Sequence, residues 1–176
     1  MRIVGGIFKG RVLCPFEKIG IRPTSDMTRE SLFNILQNFV PNARVLDLFA
    51  GTGAVGIEAL SRGASEVVIN DASRDAISLI KKNLEKLKIE KGVIVSNYDA
   101  LTLIGRNSLP FDLIYVDPPY QSDVYDKVLS EINKIMADDG IVVVESEKPI
   151  DKDYQGIIKY DQRKYGRAYL TFYKKD

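Results

Sequence analysis

The stretch Arg44-Val45-Leu46-Asp47-Leu48-Phe49-Ala50-Gly51-Thr52-Gly53-Ala54 constrains this chain more than any other. An apolar run of strand length breaks into two glycines one residue apart and restarts with helical periodicity, as a buried strand feeding a helix through a tight turn does. The step recurs down the chain. Residues 67–71 predict a second strand, Ser73 caps a helix whose Ala76, Ile80, Leu84 and Leu87 share one face, and 92–96 begins a third strand. Further strands are expected at 113–117 and 141–145, separated by a helix bearing Val128, Leu129, Ile132, Ile135 and Met136 and closed by Asp138-Asp139-Gly140. Residues 155–160 and 167–174 predict a closing hairpin and bring the strands to seven. Apolar strands alternating with helices imply an α/β, Rossmann-like fold, a mostly parallel sheet with helices on both faces and ligands at the carboxyl ends of the strands.

Ahead of this core, residues 1–14 read as an N-terminal β-hairpin that turns at Gly5-Gly6 and points Lys9 and Arg11 outward. A helix over 25–40 carries Leu32, Phe33, Leu36, Phe39 and Val40, with Thr24 or Ser25 as N-cap and Pro41 as stop. The 176 residues, 45% of them hydrophobic, suffice for one core, so a single domain 1–176 is expected, with 1–24 as an extension and 25–176 as the catalytic core. No apolar stretch has the length of a signal or membrane span, which predicts a soluble cytoplasmic protein.

One cysteine and no histidine exclude disulfide frameworks, Cys/His zinc sites and histidine bases, and no metal is expected. Cys14, between Leu13 and Pro15, is either a nucleophile of the kind used in methyl transfer to pyrimidine C5 or, as is far commoner, inert packing. The net charge of +1 is uneven: residues 1–29 carry +4, 30–158 carry −7 and 159–176 carry +4. Basic ends around an acidic middle suit an anionic partner held by the termini, or serve solubility alone.

Gly51, Gly53 and Gly56 satisfy the G-x-G-x-x-G pattern of dinucleotide binders, a weak signal by itself. Asp47 decides between ligands. A carboxylate near this strand end repels a pyrophosphate at a helix N-terminus and attracts the ammonium group of a methionine moiety, which favours S-adenosylmethionine over a nicotinamide dinucleotide. Asp71, about twenty residues after the first glycine, is placed to take ribose hydroxyls, and Asp99 to accept from an adenine amino group. Each aspartate alone is more often a cap or turn residue, but three at successive strand ends argue for a site.

Asp117-Pro118-Pro119-Tyr120 follows the apolar run 113–116. Two prolines fix the backbone, so the Asp117 carboxylate and Pro118 carbonyl become a rigid acceptor array for a nucleobase amine whose lone pair is otherwise delocalised into its ring. Tyr120 is expected to stack on the extruded base. The bland alternative is an ordinary strand-terminating turn.

With these residues in place, the chain resembles the RsmD-type family of 16S ribosomal RNA guanine-N2 methyltransferases. The resemblance runs nearly end to end, through Arg2-Ile3-Val4-Gly5-Gly6, Gly10-Arg11, Arg22-Pro23-Thr24-Ser25-Asp26, residues 29–36, 47–56, 58–64 and 117–120. The Arg-Pro-Thr helix start and Tyr165-Gly166 point to this family, whereas the other motifs specify amino methyltransferases in general. It implies S-adenosyl-L-methionine lined by Asp47, Leu48, Phe49, Ala50, Gly51, Thr52, Gly53, Asp71, Ala72, Asp99 and Ala100, and Asp117, Pro118, Pro119 and Tyr120 at the target base. It also implies ribosomal RNA as partner, in a small-subunit particle, with the protein a monomer. Met27-Thr28 and Arg167-Ala168 depart from the family pattern and bear on RNA contacts.

Because phosphate binding requires persistent cations on an accessible edge, Arg2, Lys9, Arg11, Arg22 and Arg29, supported by Lys164 and Arg167, are the expected RNA contacts. Competing readings are a DNA adenine-N6 or cytosine-N4 methyltransferase, for which 176 residues leave little room for a recognition domain, an NAD(P)-binding oxidoreductase, and a non-catalytic nucleic-acid binder.

Overall fold

A computed structural model describes residues 1–15, 25–119 and 122–176. Arg22 and Tyr120 therefore lie outside the described residues. The order of elements is α1 (Asp26–Ile35), β1 (Arg44–Asp47), α2 (Ala54–Ser61), β2 (Glu66–Asn70), α3 (Arg74–Leu87), β3 (Val93–Ser96), α4 (Ala100–Arg106), β4 (Phe111–Val116), α5 (Ser122–Glu131), a 3-10 turn (Ile132–Ile135), β5 (Met136–Ser146), β6 (Ile157–Tyr165) and β7 (Ala168–Lys175).

The strands form one seven-stranded sheet in the order β3-β2-β1-β4-β5-β7-β6. The first five are parallel, and β7 enters antiparallel between β5 and β6. Strand alternation sends Val45, Val67, Ile69, Leu113, Tyr115 and Val143 into one core with α1, α2 and α3. The opposite face packs Leu46, Leu48, Val68, Ile114, Val116 and Val142 against α4 and α5. The chain leaves β1 to either side, toward β2 and toward β4, so the crevice for a ligand opens above the carboxyl ends of these strands.

Several boundaries differ from the sequence reading, each for a local reason. Residues 1–14 contain no strand: a single antiparallel bridge joins Arg2 to Val12, with Gly10 N–H donating to Ile3 O and Leu13 N–H to Met1 O. Gly5 and Gly6 lie in the loop between these two arms, where the chain presses onto α2. Helix α1 stops at Ile35 rather than 40, because Pro41 disfavours a helical Val40 and Leu36 opens a tight turn closed by Val40 N–H to Leu36 O. Leu36 and Val40 are buried all the same, so the apolar periodicity outlasts the helix.

Helix α4 was not anticipated, since its seven residues are too few for a period to show. Strand β5 begins at Met136, and Asp138-Asp139-Gly140 form a bulge within it rather than a stop. The closing hairpin is longer and tighter than expected, with β6 running on to Tyr165 and Gly166 (φ 59°) opening its turn.

Candidate active site

The glycine turn is built around positions that exclude side chains. Gly51 adopts φ 53°, which disfavours any residue with a Cβ, and a Cβ there would project into open space above the strand ends. Gly56 has another role: its Cβ would come within 2.8 Å of Ile69 Cγ1, so its absence lets α2 lie close on β2.

Asp47 is almost fully buried, and its Oδ2 accepts the Gly56 N–H at 2.8 Å. At the end of β1, as expected, it thus satisfies one of the free donors in the first turn of α2 from beneath. Burial, opposed by the Gly56 hydrogen bond and reinforced by the nearby Asp71 charge, pushes its pKa up to about 7. A raised carboxylate pKa means the folded protein holds the proton more tightly than the unfolded chain. Stability without ligand is therefore expected to fall as pH climbs from about 4 to about 7 and to level off above. A ligand ammonium favours the ionised form, so affinity for an amino-acid-bearing ligand should rise over the same upper range. Calorimetric titration with S-adenosylhomocysteine from pH 5.5 to 7.5 checks this, with Asp47→Asn expected to be flat; equal slopes for the two proteins refute it.

Asp71 lies just past β2. Its Oδ2 accepts from Gly51 N–H and its Oδ1 from Ser73 N–H, both at 2.8 Å, so it clamps the glycine turn to the start of α3. Asp99 is the N-cap of α4: it accepts from the Thr102 N–H at 3.0 Å and from the Thr102 hydroxyl, which hold its pKa below the usual carboxylate range. The three aspartates do follow three successive strands along one sheet edge, and each also performs the capping or clamping duty that was the plainer reading.

Among the other cofactor positions, Ala50 is half-buried, its N–H bonded to Asn70 O, and Thr52 and Gly53 are buried in the turn. Phe49 packs partly on the α4–α5 core, and Ala72 is exposed. Leu48 belongs to the core side of the sheet and is fully buried, as Ala100 is very nearly. Main-chain bonds at Leu48 still matter, because its N–H donates to Tyr115 O at 3.0 Å and fastens the end of β1 to β4. That bond brings the glycine turn beside Asp117, which is half-buried, and Pro118, which is buried; Pro119 is exposed.

Two asparagines went unread in the sequence. Asn70, fully buried, donates from Nδ2 to Leu48 O and Tyr98 O and accepts from Ser96 Oγ and Tyr98 N–H, knitting the ends of β1, β2 and β3. Asn83 on α3 donates to Thr52 O in the turn and accepts from Cys14 N–H, which joins the N-terminal segment to the site. Cys14 is a free, half-buried cysteine on this segment. A polar residue closing the apolar run 67–69 was the one available signal for Asn70.

The basic residues separate. Arg29 is fully buried, its Nη2 bonded to Arg2 O at 2.5 Å and to Asp26 Oδ1 at 2.9 Å, so it is corrected from an RNA contact to a strut between α1 and the N-terminal segment. Arg2, Lys9, Arg11, Lys164 and Arg167 are exposed. Lys164 and Arg167 flank the β6–β7 turn, on the same sheet edge as Asp117. Lys9 lies toward the opposite edge, because its loop docks on Ser61 at the C-terminal end of α2. Among the described residues no three His, Cys, Asp or Glu side chains gather as a metal set, and no helix is long and apolar enough to cross a membrane.

A family described as Conserved hypothetical protein 95 matches residues 1–174. The chain is 37% identical over 149 residues to the Ribosomal RNA small subunit methyltransferase D of Escherichia coli strain K12, covering 84% of this chain and 75% of that protein. It is 33% identical over 182 residues to YlbH of Bacillus subtilis, provisionally an rRNA methyltransferase, with 99% of each chain covered. The solved structure of yhhF from Escherichia coli, provisionally a methyltransferase, superposes with a TM-score of 0.87 at 29% identity, over 100% of this chain and 98% of that one.

Proposed function

Since the chain belongs to the family described as Conserved hypothetical protein 95, whose members alike to it include a small-subunit ribosomal RNA methyltransferase, we propose that it methylates ribosomal RNA from S-adenosylmethionine. The target we assign is the exocyclic N2 of a guanine in small-subunit RNA. The observation that carries this reading is the junction of β1 and β4: a glycine turn over a buried aspartate stands beside an Asp-Pro-Pro strand end where the sheet order reverses.

The turn fits the donor on its own geometry. Open space beside Gly51 leaves room for a ligand to approach the backbone, and Asp47 with its raised pKa gains a counter-charge when an ammonium group arrives. Asp71, clamped to Gly51, presents its carboxylate toward a ribose, and Asp47 supports the turn from beneath. When bound, the donor supplies an electrophilic methyl group on a positively charged sulfur. Asp117 and the Pro118 carbonyl accept the N2 hydrogens, which localises the amine lone pair and aims it along the line of displacement. As N2 takes the methyl group from the donor's sulfur, Asp117 would receive the surplus N2 proton and pass it on to water. No metal or histidine is required.

For the RNA, the exposed cations at the chain ends supply phosphate contacts, Arg2 and Arg11 from the N-terminal segment and Lys164 and Arg167 from the edge of the catalytic crevice. The substrate is proposed to be the assembled small-subunit particle, met by a single copy of the chain in the cytoplasm. Calorimetry should show uptake of S-adenosylhomocysteine and none of NADH. Nucleoside mass spectrometry of treated small-subunit particles, naked RNA and duplex DNA should find N2-methylguanosine in the particles. Failure to bind S-adenosylhomocysteine would sink the whole reading, whereas methyl groups on another base would sink only the guanine assignment.

A further inference from the structure

We infer that Glu145, at the carboxyl end of β5, selects guanine by accepting its N1–H while Asp117 and Pro118 hold N2; this rests on the guanine reading above. The β4–β5 register pairs Val116 with Val144, so Asp117, the first residue past β4, comes beside Glu145, which is still held in β5 by its pairing with Leu170 of β7. Adjacent strands lie about 4.8 Å apart, a separation that two hydrogen-bonding atoms on one edge of a purine can bridge.

The surroundings of Glu145 aim its carboxylate. The Tyr115 hydroxyl donates to Oε2, and Tyr115 is packed, 3% exposed, in the core beneath α2. The Glu145 side chain therefore stands on the glycine-turn face of the sheet. From the other face, the Tyr125 hydroxyl of α5 donates to the Glu145 carbonyl at 3.1 Å and fixes its backbone. Two tyrosines holding one half-buried glutamate at the end of the apolar run Val142-Val143-Val144 are more than a strand terminus needs. A carboxylate offers about four acceptor sites, so Glu145 can take a further hydrogen bond while Tyr115 orients it.

The chemistry then discriminates between purines. Guanine carries N1–H next to its N2 amine, and a carboxylate accepts from such an edge. Adenine turns a bare N1 lone pair toward the same place, where it meets negative charge. Glu145 is thus a specificity residue and Tyr115 the residue that positions it, with the methyl transfer itself left to Asp117.

The test compares small-subunit RNA carrying guanine at the modified position with RNA carrying 2-aminopurine there, which keeps the N2 amine but has no hydrogen on N1. The unaltered protein should prefer guanine by about 10- to 100-fold in kcat/KM. Glu145→Gln, whose amide can donate to the bare N1, should bring the two substrates to within about threefold. Tyr115→Phe should raise KM for guanine RNA more than it lowers kcat. An unaltered protein that uses both bases equally overturns the inference without recourse to any variant, as does a Glu145→Gln protein that keeps the original ratio. Absence of any guanine methylation overturns the parent reading first, a result distinguishable from either.

Discussion

Replacing Asp117 by alanine is expected to lower methylation by about 10²- to 10³-fold while S-adenosylhomocysteine binds as tightly as before. The magnitude follows from what the residue would do. An aromatic amine is a weak nucleophile until its hydrogens are engaged, and a pre-set acceptor at the end of a rigid strand provides that engagement without reorganisation at the moment of reaction. Asp117 is held by β4 on one side and by buried Pro118 on the other, whereas donor binding draws on Asp47, Gly51 and Asp71, which belong to the neighbouring turn. The effect should accordingly fall on kcat, with RNA affinity carried by the basic ends little changed. Single-turnover assays beside calorimetry separate these quantities. A variant that methylates within threefold of the original would show that the Asp-Pro-Pro segment is a turn and nothing more.

What the sequence made legible was the set of features enforced by local chemistry. The strand, glycine turn and helix at 44–61 could be read because Gly51 must take a positive φ and Gly56 must lie against Ile69. The N-cap Ser73 was equally plain, and Ser25 was one of two candidates with Thr24; the hydroxyls of Ser25 and Ser73 each satisfy a first-turn N–H. Less legible was anything set by tertiary contact. Asp47 could be placed at a strand end, but nothing local told that its carboxylate folds back to Gly56. Arg29 looked like any exposed cation of a helix until the N-terminal segment closed over it. Glu145 carried no motif, because its meaning depends on the β4–β5 register and on a tyrosine thirty residues earlier. Charge patterning placed cations at both ends of the chain without showing that Lys9 and Arg167 lie toward opposite edges of the sheet.

Gly6→Ala should be the most damaging single-methyl change in the N-terminal segment. Gly6 has φ 73°, and a Cβ built on it would lie 1.8 Å from the Ser61 carbonyl oxygen, which is helix backbone and has no way to yield. The left-handed conformation alone costs about 1–2 kcal/mol for a residue with a Cβ. Relieving the clash also lifts the loop off α2. That separation breaks Ile7 N–H to Ser61 O at 2.8 Å, Phe8 N–H to Ser61 Oγ at 2.9 Å and Ser61 Oγ–H to Gly5 O at 2.6 Å, each contributing about 1 kcal/mol. Fully buried Glu58, which accepts the Val4 N–H and pairs with Arg62, would lose one of its partners as well. The sum is about 4 kcal/mol, or a fall in Tm of roughly 8–16 °C for a chain of this size. Should the segment detach instead of taking the domain with it, the loss appears as proteolysis within residues 1–15 and as weaker RNA binding, since Arg2 and Arg11 travel with it. Detachment also withdraws Met1 from Thr52 and Cys14 from Asn83, so donor affinity should drop in parallel with the protection of the segment. Thermal melts, limited proteolysis and S-adenosylhomocysteine titration of the variant measure the three effects. A Tm within a degree of the parent together with an equally protease-resistant N-terminus would mean that Ser61 is not what holds this segment in place.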